Sequence, residues 1–330
     1  MTKIIDYLNT LDNNVTKIDI SFNSLTELPD LSRFKNLKFL ICSNNELTSL
    51  PPLNYKLEYL NCSNNKLTYL PPLNYNLNNL YCSNNQLTSL PPLNYNLRYL
   101  DCPNNQLTSL PPLNKYLRYL DCSKNKLTYL PPLNDELNTL YCSNNQLTSL
   151  PPLSDNLTML DCSNNKLIYL PPLNFNLKNI ICSNNQLTSL PPLNFNLTML
   201  DCLNNKLIYL PPLNFNLRHL NCSNNQLTSL PNLNRLIYLH CENNHIYLIC
   251  KIKGIIRISD KDNIKKWNHF REFYFLSKLK KKLISWMWKS KEEKIRKQFH
   301  PSHLIEFLQN NDVSEDDNDT LNIFLNNWTI

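Results

Sequence analysis

A pattern of twenty residues recurs along most of this chain and constrains its fold more than any other feature. The pattern reads L-x-x-L-x-C-x-x-N-x-L and is followed by Leu-Pro-Pro-Leu, as in residues 57–67 and 70–73. When the units are aligned on the asparagine, twelve of them run from Asn23 to Asn244. The first step is 22 residues, the last is 19 and the others are 20. Such a period overrides the two ordinary domains that 330 residues would otherwise suggest, and it predicts a repeat solenoid.

Each unit contains the pattern of one short strand. In residues 57–62, the apolar Leu60 and Cys62 alternate with Tyr59 and Asn61, which is the period of a strand with one buried face. A unit has about six apolar residues to bury, worth roughly 1.5–3 kcal/mol each. Ordering its backbone costs about 1–2 kcal/mol per residue. One unit therefore cannot fold alone, and we expect the units to stack with their strands paired in parallel around a shared core.

Asparagine and proline recur at positions where the backbone needs hydrogen-bond partners or a fixed φ angle. The asparagine follows the strand, where the chain turns and leaves buried backbone groups. Its amide both donates and accepts, so a stacked row of asparagines is predicted to satisfy those groups. The Pro-Pro pair fixes φ and excludes helix, so the segment that returns to the next strand is predicted to be extended or polyproline-like.

The recurrent cysteine is the position that most invites a chemical interpretation. It recurs every twenty residues from Cys42 to Cys222 and again at Cys241, with no Cys-x-x-Cys or Cys/His spacing of a metal site inside a unit. Strands about 4.8 Å apart bring neighbouring cysteines near each other, but side chains in register point in parallel, which is poor disulfide geometry. We expect small, buried, free thiols in a compartment where thiols stay reduced.

These motifs resemble the leucine-rich repeat family over roughly residues 11–250, and the 20-residue period with LPPL is similar to the short repeats of secreted bacterial effectors. The resemblance implies a horseshoe with a parallel β-sheet on its concave face and extended or polyproline-like segments on its convex face. We expect an N-terminal cap at 1–14, about twelve repeats at 15–250, and a basic, mainly helical C-terminal region at 251–330.

Sequence variation concentrates on two positions that flank the central strand leucine on the open face of each unit. Aromatic and methionine side chains there are typical of protein interfaces, and the aspartates suit a basic partner better than nucleic acid. The alternative is a solvated face that binds nothing. The candidate protein-binding residues are Tyr59, Tyr81, Tyr99, Asp101, Tyr119, Asp121, Tyr141, Met159, Asp161, Met199, Asp201 and His219.

The period stops after Cys250, and the composition changes there. Residues 251–330 hold 16 lysines and arginines against 11 aspartates and glutamates, compared with 17 against 15 before them. Leu276, Leu279 and Leu283 have helical spacing. Three interpretations stay open: a helical cap over the last repeat, a helix on an anionic membrane surface, and docking to a second protein. Residues 288–304 also resemble a tail found in proteins of giant DNA viruses.

Together these features predict a non-enzymatic, protein-binding scaffold without a cofactor. A single glycine, Gly254, excludes glycine-rich phosphate loops. Residues 1–14 lack the pattern of a signal peptide, and no apolar run approaches the ~20 residues that cross a bilayer, so we expect a cytoplasmic protein, in the host cytoplasm if the chain is viral. The enzymatic alternative is a cysteine-dependent ubiquitin ligase region, which some effectors with similar repeats carry. Here 80 residues follow the repeats, and Cys250 is the only cysteine outside the recurrent cysteine position of the units.

Overall fold

The computed structural model describes residues 2–231, 236–245 and 257–258. Within these ranges, one helix is followed by thirteen short strands that pair in chain order in a single sheet. The helix α1 spans Thr2–Thr10. The strands are β1 Lys17–Asp19, β2 Phe39–Ile41, β3 Tyr59–Asn61, β4 Asn79–Tyr81, β5 Tyr99–Asp101, β6 Tyr119–Asp121, β7 Thr139–Tyr141, β8 Met159–Asp161, β9 Asn179–Ile181, β10 Met199–Asp201, β11 His219–Asn221, β12 Tyr238–His240 and β13 Arg257–Ile258.

All strand pairs are parallel, and their register places equivalent positions of neighbouring repeats side by side. Between β5 and β6, for example, Leu100 stands next to Leu120 and Asp101 next to Asp121. Each position of the repeat therefore forms a row along the stack of units, which we call layers. The predicted repeat solenoid with a parallel sheet is confirmed.

The core consists of rows of leucine and cysteine. In the layer of β5, Leu97, Leu100, Cys102 and Leu107 are all fully buried, and the same positions are buried in the layers from β2 to β11. The stretch that carries the chain from one strand to the next, which we call the return segment, contains no helix in the described repeats. The prediction of non-helical convex segments is therefore confirmed. Because the return segment contains no helix, twenty residues suffice for a unit.

The recurrent asparagine bridges two layers, as predicted. The Nδ2 group of Asn145 donates to the backbone oxygens of Cys122 (3.0 Å) and Cys142 (3.2 Å), and its Oδ1 accepts from the backbone N–H of Leu127 at 2.9 Å. Similar bonds recur at each ladder asparagine from Asn45 to Asn244. We call this row the asparagine ladder.

The residue just before each ladder asparagine has a positive φ, a feature that sequence analysis did not predict. Asn144 has φ of 55°, and asparagine occupies the equivalent position in most layers. Asparagine tolerates this left-handed conformation better than most residues with a Cβ. The exceptions are Lys124, with φ of 51°, and Phe22, which precedes Asn23 of the first unit and has φ of 57°. The Asn-Asn pair therefore combines a turn-forming residue with a bridging one.

A second row of asparagines on the return segments was also missed. Asn94 donates through Nδ2 to the backbone oxygens of Asn74 (2.7 Å) and Leu77 (3.0 Å), and its Oδ1 accepts from the backbone N–H of Asn96 at 2.8 Å. Similar donors recur at Asn114 and Asn194. The convex side of the solenoid is thus held together by side-chain amides as well.

The ends of the chain are described to different extents. In α1, Ile4 and Leu8 are buried and belong to the same core as the repeats, and Arg33 donates to the backbone oxygen of Leu8. The predicted C-terminal helices and their proposed roles lie outside the described residues. In the part of the chain that the structure describes, no helix has both the length and the apolar character required to cross a bilayer.

Candidate functional site

The candidate site is the side of the sheet that faces away from the core, which we call the strand face. In each strand from β3 to β10 the middle residue is buried, whereas the first and third are half-buried and point to the other side. The first and third positions therefore form two rows. All twelve candidate residues lie in these rows: eleven are half-buried and His219 is exposed. The structure thus brings them onto one surface.

Five of the candidates form a continuous group of aromatic rings, which we call the tyrosine cluster: Tyr59, Tyr81, Tyr99, Tyr119 and Tyr141. The rings of Tyr99 and Tyr119 are stacked, with centroids 3.9 Å apart and planes 5° from parallel. The other contacts cross between the two rows, at centroid distances of 5.1 Å for Tyr59–Tyr81, 4.9 Å for Tyr81–Tyr99 and 5.8 Å for Tyr119–Tyr141. The cluster therefore links five consecutive strands.

The crossing follows from where the sequence places small side chains. In β4 and β7 the first position holds Asn79 and Thr139, and the tyrosine stands in the third position instead. In β5 and β6 the order is reversed, with tyrosine first and aspartate third. As a result, the cluster surrounds the third positions of β5 and β6 on the strand face.

Those third positions are occupied by Asp101 and Asp121, which are adjacent in register. Burial and the charge of Asp121 raise the pKa of Asp101 to about 6. Burial also raises the pKa of Asp121, although that carboxylate accepts hydrogen bonds from the Ser123 hydroxyl (2.6 Å) and backbone N–H (2.9 Å). Among the described residues, no lysine or arginine forms an ion pair with either aspartate. We call these two residues the aspartate pair.

The C-terminal part of the strand face has a different character. The candidates there are Met159, Asp161, Met199, Asp201 and His219. A shallow depression extends over β10 to β12 and is lined in part by Met199, Asp201 and His219. The ring of His219 stacks on the ring of Tyr238 on the neighbouring strand β12, with centroids 4.7 Å apart. Burial raises the pKa of Asp201.

The cysteine row shows no sign of chemical activity. Its described members carry free thiols, and ten of them are buried. Burial raises the pKa of Cys42 to about 12, and that of Cys241, which is half-buried, to about 11. Thiols of this kind are poor nucleophiles because the reactive thiolate is scarcely populated. The described residues also contain no cluster of histidine, cysteine, aspartate or glutamate that could hold a metal ion.

Sequence analysis missed a row of exposed aromatic residues on the return segments. It includes Tyr55, Tyr75, Phe175, Phe195 and Phe215, all of which are more than half exposed. The signal was the L-N-[Y/F] that recurs in several units, in which the aromatic residue lies just after an asparagine of the return segments.

The repeats match known family models. The model described as "Leucine Rich repeats (2 copies)" matches residues 75–115 and 95–135, and the model "Leucine Rich Repeat" matches residues 56–75 and 216–234. A comparison of the sequence with curated proteins gave no significant match.

Solved structures of bacterial proteins show the same fold. YopM, a leucine-rich effector protein from Yersinia pestis, is 30% identical, with a TM-score of 0.61 over 74% of this chain and 82% of that one. YopM from Yersinia enterocolitica is also 30% identical, with a TM-score of 0.59 over 76% of this chain and 66% of that one. The functional domain of InlJ from Listeria monocytogenes, which includes a cysteine ladder, is 30% identical, with a TM-score of 0.57 over 74% of this chain and 64% of that one.

This chain thus spans about two thirds of the Yersinia enterocolitica YopM and InlJ chains and more of the Yersinia pestis one. The repeat period, the parallel sheet, the asparagine ladder and these likenesses agree with one another. The chain belongs to the leucine-rich repeat family, whose repeats form a protein-binding scaffold.

Proposed function

We propose that this protein is a non-enzymatic scaffold that binds a partner protein through its strand face, with the tyrosine cluster as the main contact. The observation that carries the proposal is the continuous ring contact across β3 to β7, on the side of the sheet that the core does not use. Tyrosine is among the residues most enriched at the energetic centres of interfaces.

The rings of the tyrosine cluster are already ordered in the free protein. Each ring contacts one or two neighbours, so its rotamer freedom is already reduced in the free protein. A partner that covers such rings loses less side-chain entropy than one that must order them. The half-buried rings still offer apolar edges and polar hydroxyl groups, a combination that favours tyrosine at interfaces.

The strand face is large enough for a stable complex. The strands β2 to β12 present two rows of eleven side chains. At about 4.8 Å between neighbouring strands, these rows extend over about 50 Å. A typical interface takes about 20–30 residues from each partner. The tyrosine cluster would then form its centre, with the neighbouring strands as the rim.

We place this function in a reducing cytoplasm. The described cysteines are free and mostly buried, which supports a compartment that keeps thiols reduced. Fluorescence microscopy of the tagged protein, together with an assay of its thiol state in cells, would test the placement. Oxidised protein in a secretory compartment would contradict it.

The test of the binding face compares two pairs of tyrosine substitutions in affinity capture from an extract of cells that express the protein. The first variant carries Tyr99→Ala and Tyr119→Ala in the tyrosine cluster. The matched control carries Tyr55→Ala and Tyr75→Ala, which are exposed on return segments. Circular dichroism establishes that both variants are folded. Proteins captured by the wild type and the control, but lost by the first variant, are expected partners. Capture of the same proteins by all three forms would overturn the proposal.

A further inference from the structure

We infer that the partner places a basic side chain, a lysine or an arginine, between Asp101 and Asp121 at the centre of the tyrosine cluster. The inference rests on the proposed function and specifies the chemistry of the partner segment that the strand face recognises. Nothing in the fold itself requires an acidic residue at this position, because the chain uses asparagine at the equivalent places in β3 and β11, Asn61 and Asn221.

The geometry suits a single cation. Asp101 and Asp121 are direct partners in the register of two parallel strands. Neighbouring strands lie about 4.8 Å apart, so one ammonium or guanidinium group reaches both carboxylates. Tyr81 is the register partner of Asp101 on one side, and Tyr141 is the register partner of Asp121 on the other. The aspartate pair is therefore bounded along the sheet by two aromatic rings.

No lysine or arginine of the described residues forms an ion pair with the aspartate pair. Two like charges side by side on a sheet repel each other, and both carboxylates are half-buried. Lys124 exerts a favourable field on Asp121, whereas Asp161 adds a further negative charge. A cation from outside would relieve this repulsion, which makes the face complementary to a basic segment.

Three glutamates of the repeats differ from the aspartate pair in that each forms an ion pair with a neighbouring layer. Glu46 pairs with Lys66 of the next layer at 2.8 Å, and Glu58 pairs with Lys38 of the preceding layer at 2.8 Å. Glu136 likewise lies 3.4 Å from Arg118. These carboxylates have cationic partners from adjacent layers. The more buried aspartate pair has none among the described residues, although its desolvation gives it the greater need of one.

The tyrosines complete the recognition site. Lysine and arginine have long apolar stems that pack on aromatic surface while the charged end meets its partner. Tyr81 and Tyr141 stand where such a stem would pass, and tyrosine rings attract cations. A neutral or acidic side chain would gain none of the charge interaction. We therefore expect the partner segment to be basic at the residue that contacts this point.

The test uses synthetic peptides as probes because the partner is unidentified. Fluorescein-labelled (Gly-Lys-Ser)4 and (Gly-Arg-Ser)4 are titrated with the full chain at low salt by fluorescence anisotropy, and (Gly-Gln-Ser)4 serves as the uncharged probe. The variant is Asp101→Asn with Asp121→Asn, and the control is Asp135→Asn with Asp155→Asn, which removes the same charge from exposed return-segment positions. We expect the variant to weaken binding of the basic peptides at least fivefold and the control to change it less than twofold.

A second measurement locates the contact. Carbodiimide joins carboxylates to lysine amines at contact distance, so mass spectrometry is expected to find (Gly-Lys-Ser)4 attached to Asp101 or Asp121. Equal weakening by the variant and the control, or crosslinks confined to other acidic residues, would overturn the inference. Capture of natural partners distinguishes a failure of this inference from a failure of the proposed function. If capture is lost with Tyr99→Ala and Tyr119→Ala but unchanged with the aspartate variant, the proposed function stands and this inference fails. If neither variant loses a partner, the proposed function itself fails.

Discussion

The side-chain oxygen of Asn145 accepts a hydrogen bond from the backbone N–H of Leu127, a residue of the preceding layer that lies 2.9 Å away. The same amide donates to the carbonyl groups of Cys122 and Cys142, so one side chain satisfies three backbone groups from two layers. Backbone groups buried in this way have no access to water, and each must find a protein partner. The asparagine ladder therefore supplies much of what joins one layer to the next.

Replacing Asn145 with alanine is expected to destabilise the solenoid. The backbone N–H of Leu127 loses its acceptor, and an unsatisfied buried group costs about 1–3 kcal/mol. The carbonyls of Cys122 and Cys142 lose one donor each but keep a second, from Asn125 and Asn165. We expect the free energy of unfolding to fall by about 1–3 kcal/mol, measured by urea denaturation followed by circular dichroism. Gln146→Ala is the control, because Gln146 is the exposed neighbour. A loss of similar size in both variants would contradict the role assigned to the ladder.

Replacing Lys124 with asparagine is expected to stabilise the protein. Lys124 has φ of 51° in a position that asparagine occupies in most other layers. The left-handed conformation costs about 1–2 kcal/mol for ordinary residues with a Cβ and less for asparagine. We expect a gain of about 0.5–1 kcal/mol in the free energy of unfolding, from the same denaturation measurement. Lys166→Asn makes the same change of charge on an exposed residue outside the positive-φ positions and should alter stability by less than about 0.5 kcal/mol. Equal effects of the two substitutions would refute the conformational explanation.

Replacing Asp101 with asparagine is expected to stabilise the protein at pH 7 but not at pH 4. The pKa of Asp101 in the folded protein is about 6, chiefly because of burial, whereas the usual value for aspartate is 3.8. Between these two values the folded state holds more protons than the unfolded state, so stability falls as the pH rises through that window. Above about pH 6 the full cost of the charge is present, and removing the carboxylate relieves it. After discounting for solvent screening of a half-buried group, we expect a gain of about 1 kcal/mol at pH 7.

Thermal unfolding at several pH values tests this expectation, with Asp135→Asn as the matched control on an exposed return segment. The difference in melting temperature between Asp101→Asn and the wild type should shrink as the pH falls from 7 to 4. A difference that is independent of pH would show that the effect is not electrostatic.

The thiols of the cysteine row are expected to be unreactive in the folded protein. Ten of them are buried, and burial raises the pKa of those at both ends of the buried row, Cys42 and Cys222. In a Cys250→Ser variant, an aromatic disulfide reagent at pH 8 should modify at most one thiol, that of the half-buried Cys241, until the protein is unfolded. After denaturation, all eleven remaining cysteines of the twelve in the sequence should react. Rapid modification of several thiols in the native state would show that the layers open far more readily than their packing implies.

Much of this protein was determined by its sequence alone. The buried leucine rows, the parallel pairing of the strands, the free thiols and the bridging role of the ladder asparagine all follow from residues that recur at a fixed distance. A twenty-residue period with an internal period of two admits few other arrangements, because each unit must bury the same apolar side chains against an identical neighbour. The outward direction of the candidate binding residues follows from the same alternation, since neighbours of a buried strand residue point to the opposite side.

The tertiary structure decided what the strand face contains. That Tyr81 contacts Tyr99 across two rows, and that Tyr99 stacks on Tyr119 within one row, depends on how large side chains lean over small neighbours on adjacent strands. The positive φ of Asn144 and the bonds of Asn94 on the return segment depend on the path of the chain between strands. The raised pKa of Asp101 depends on the burial that these neighbours create. A repeat pattern specifies which positions meet, but the contact made there depends on the shapes and charges of the side chains in adjacent layers.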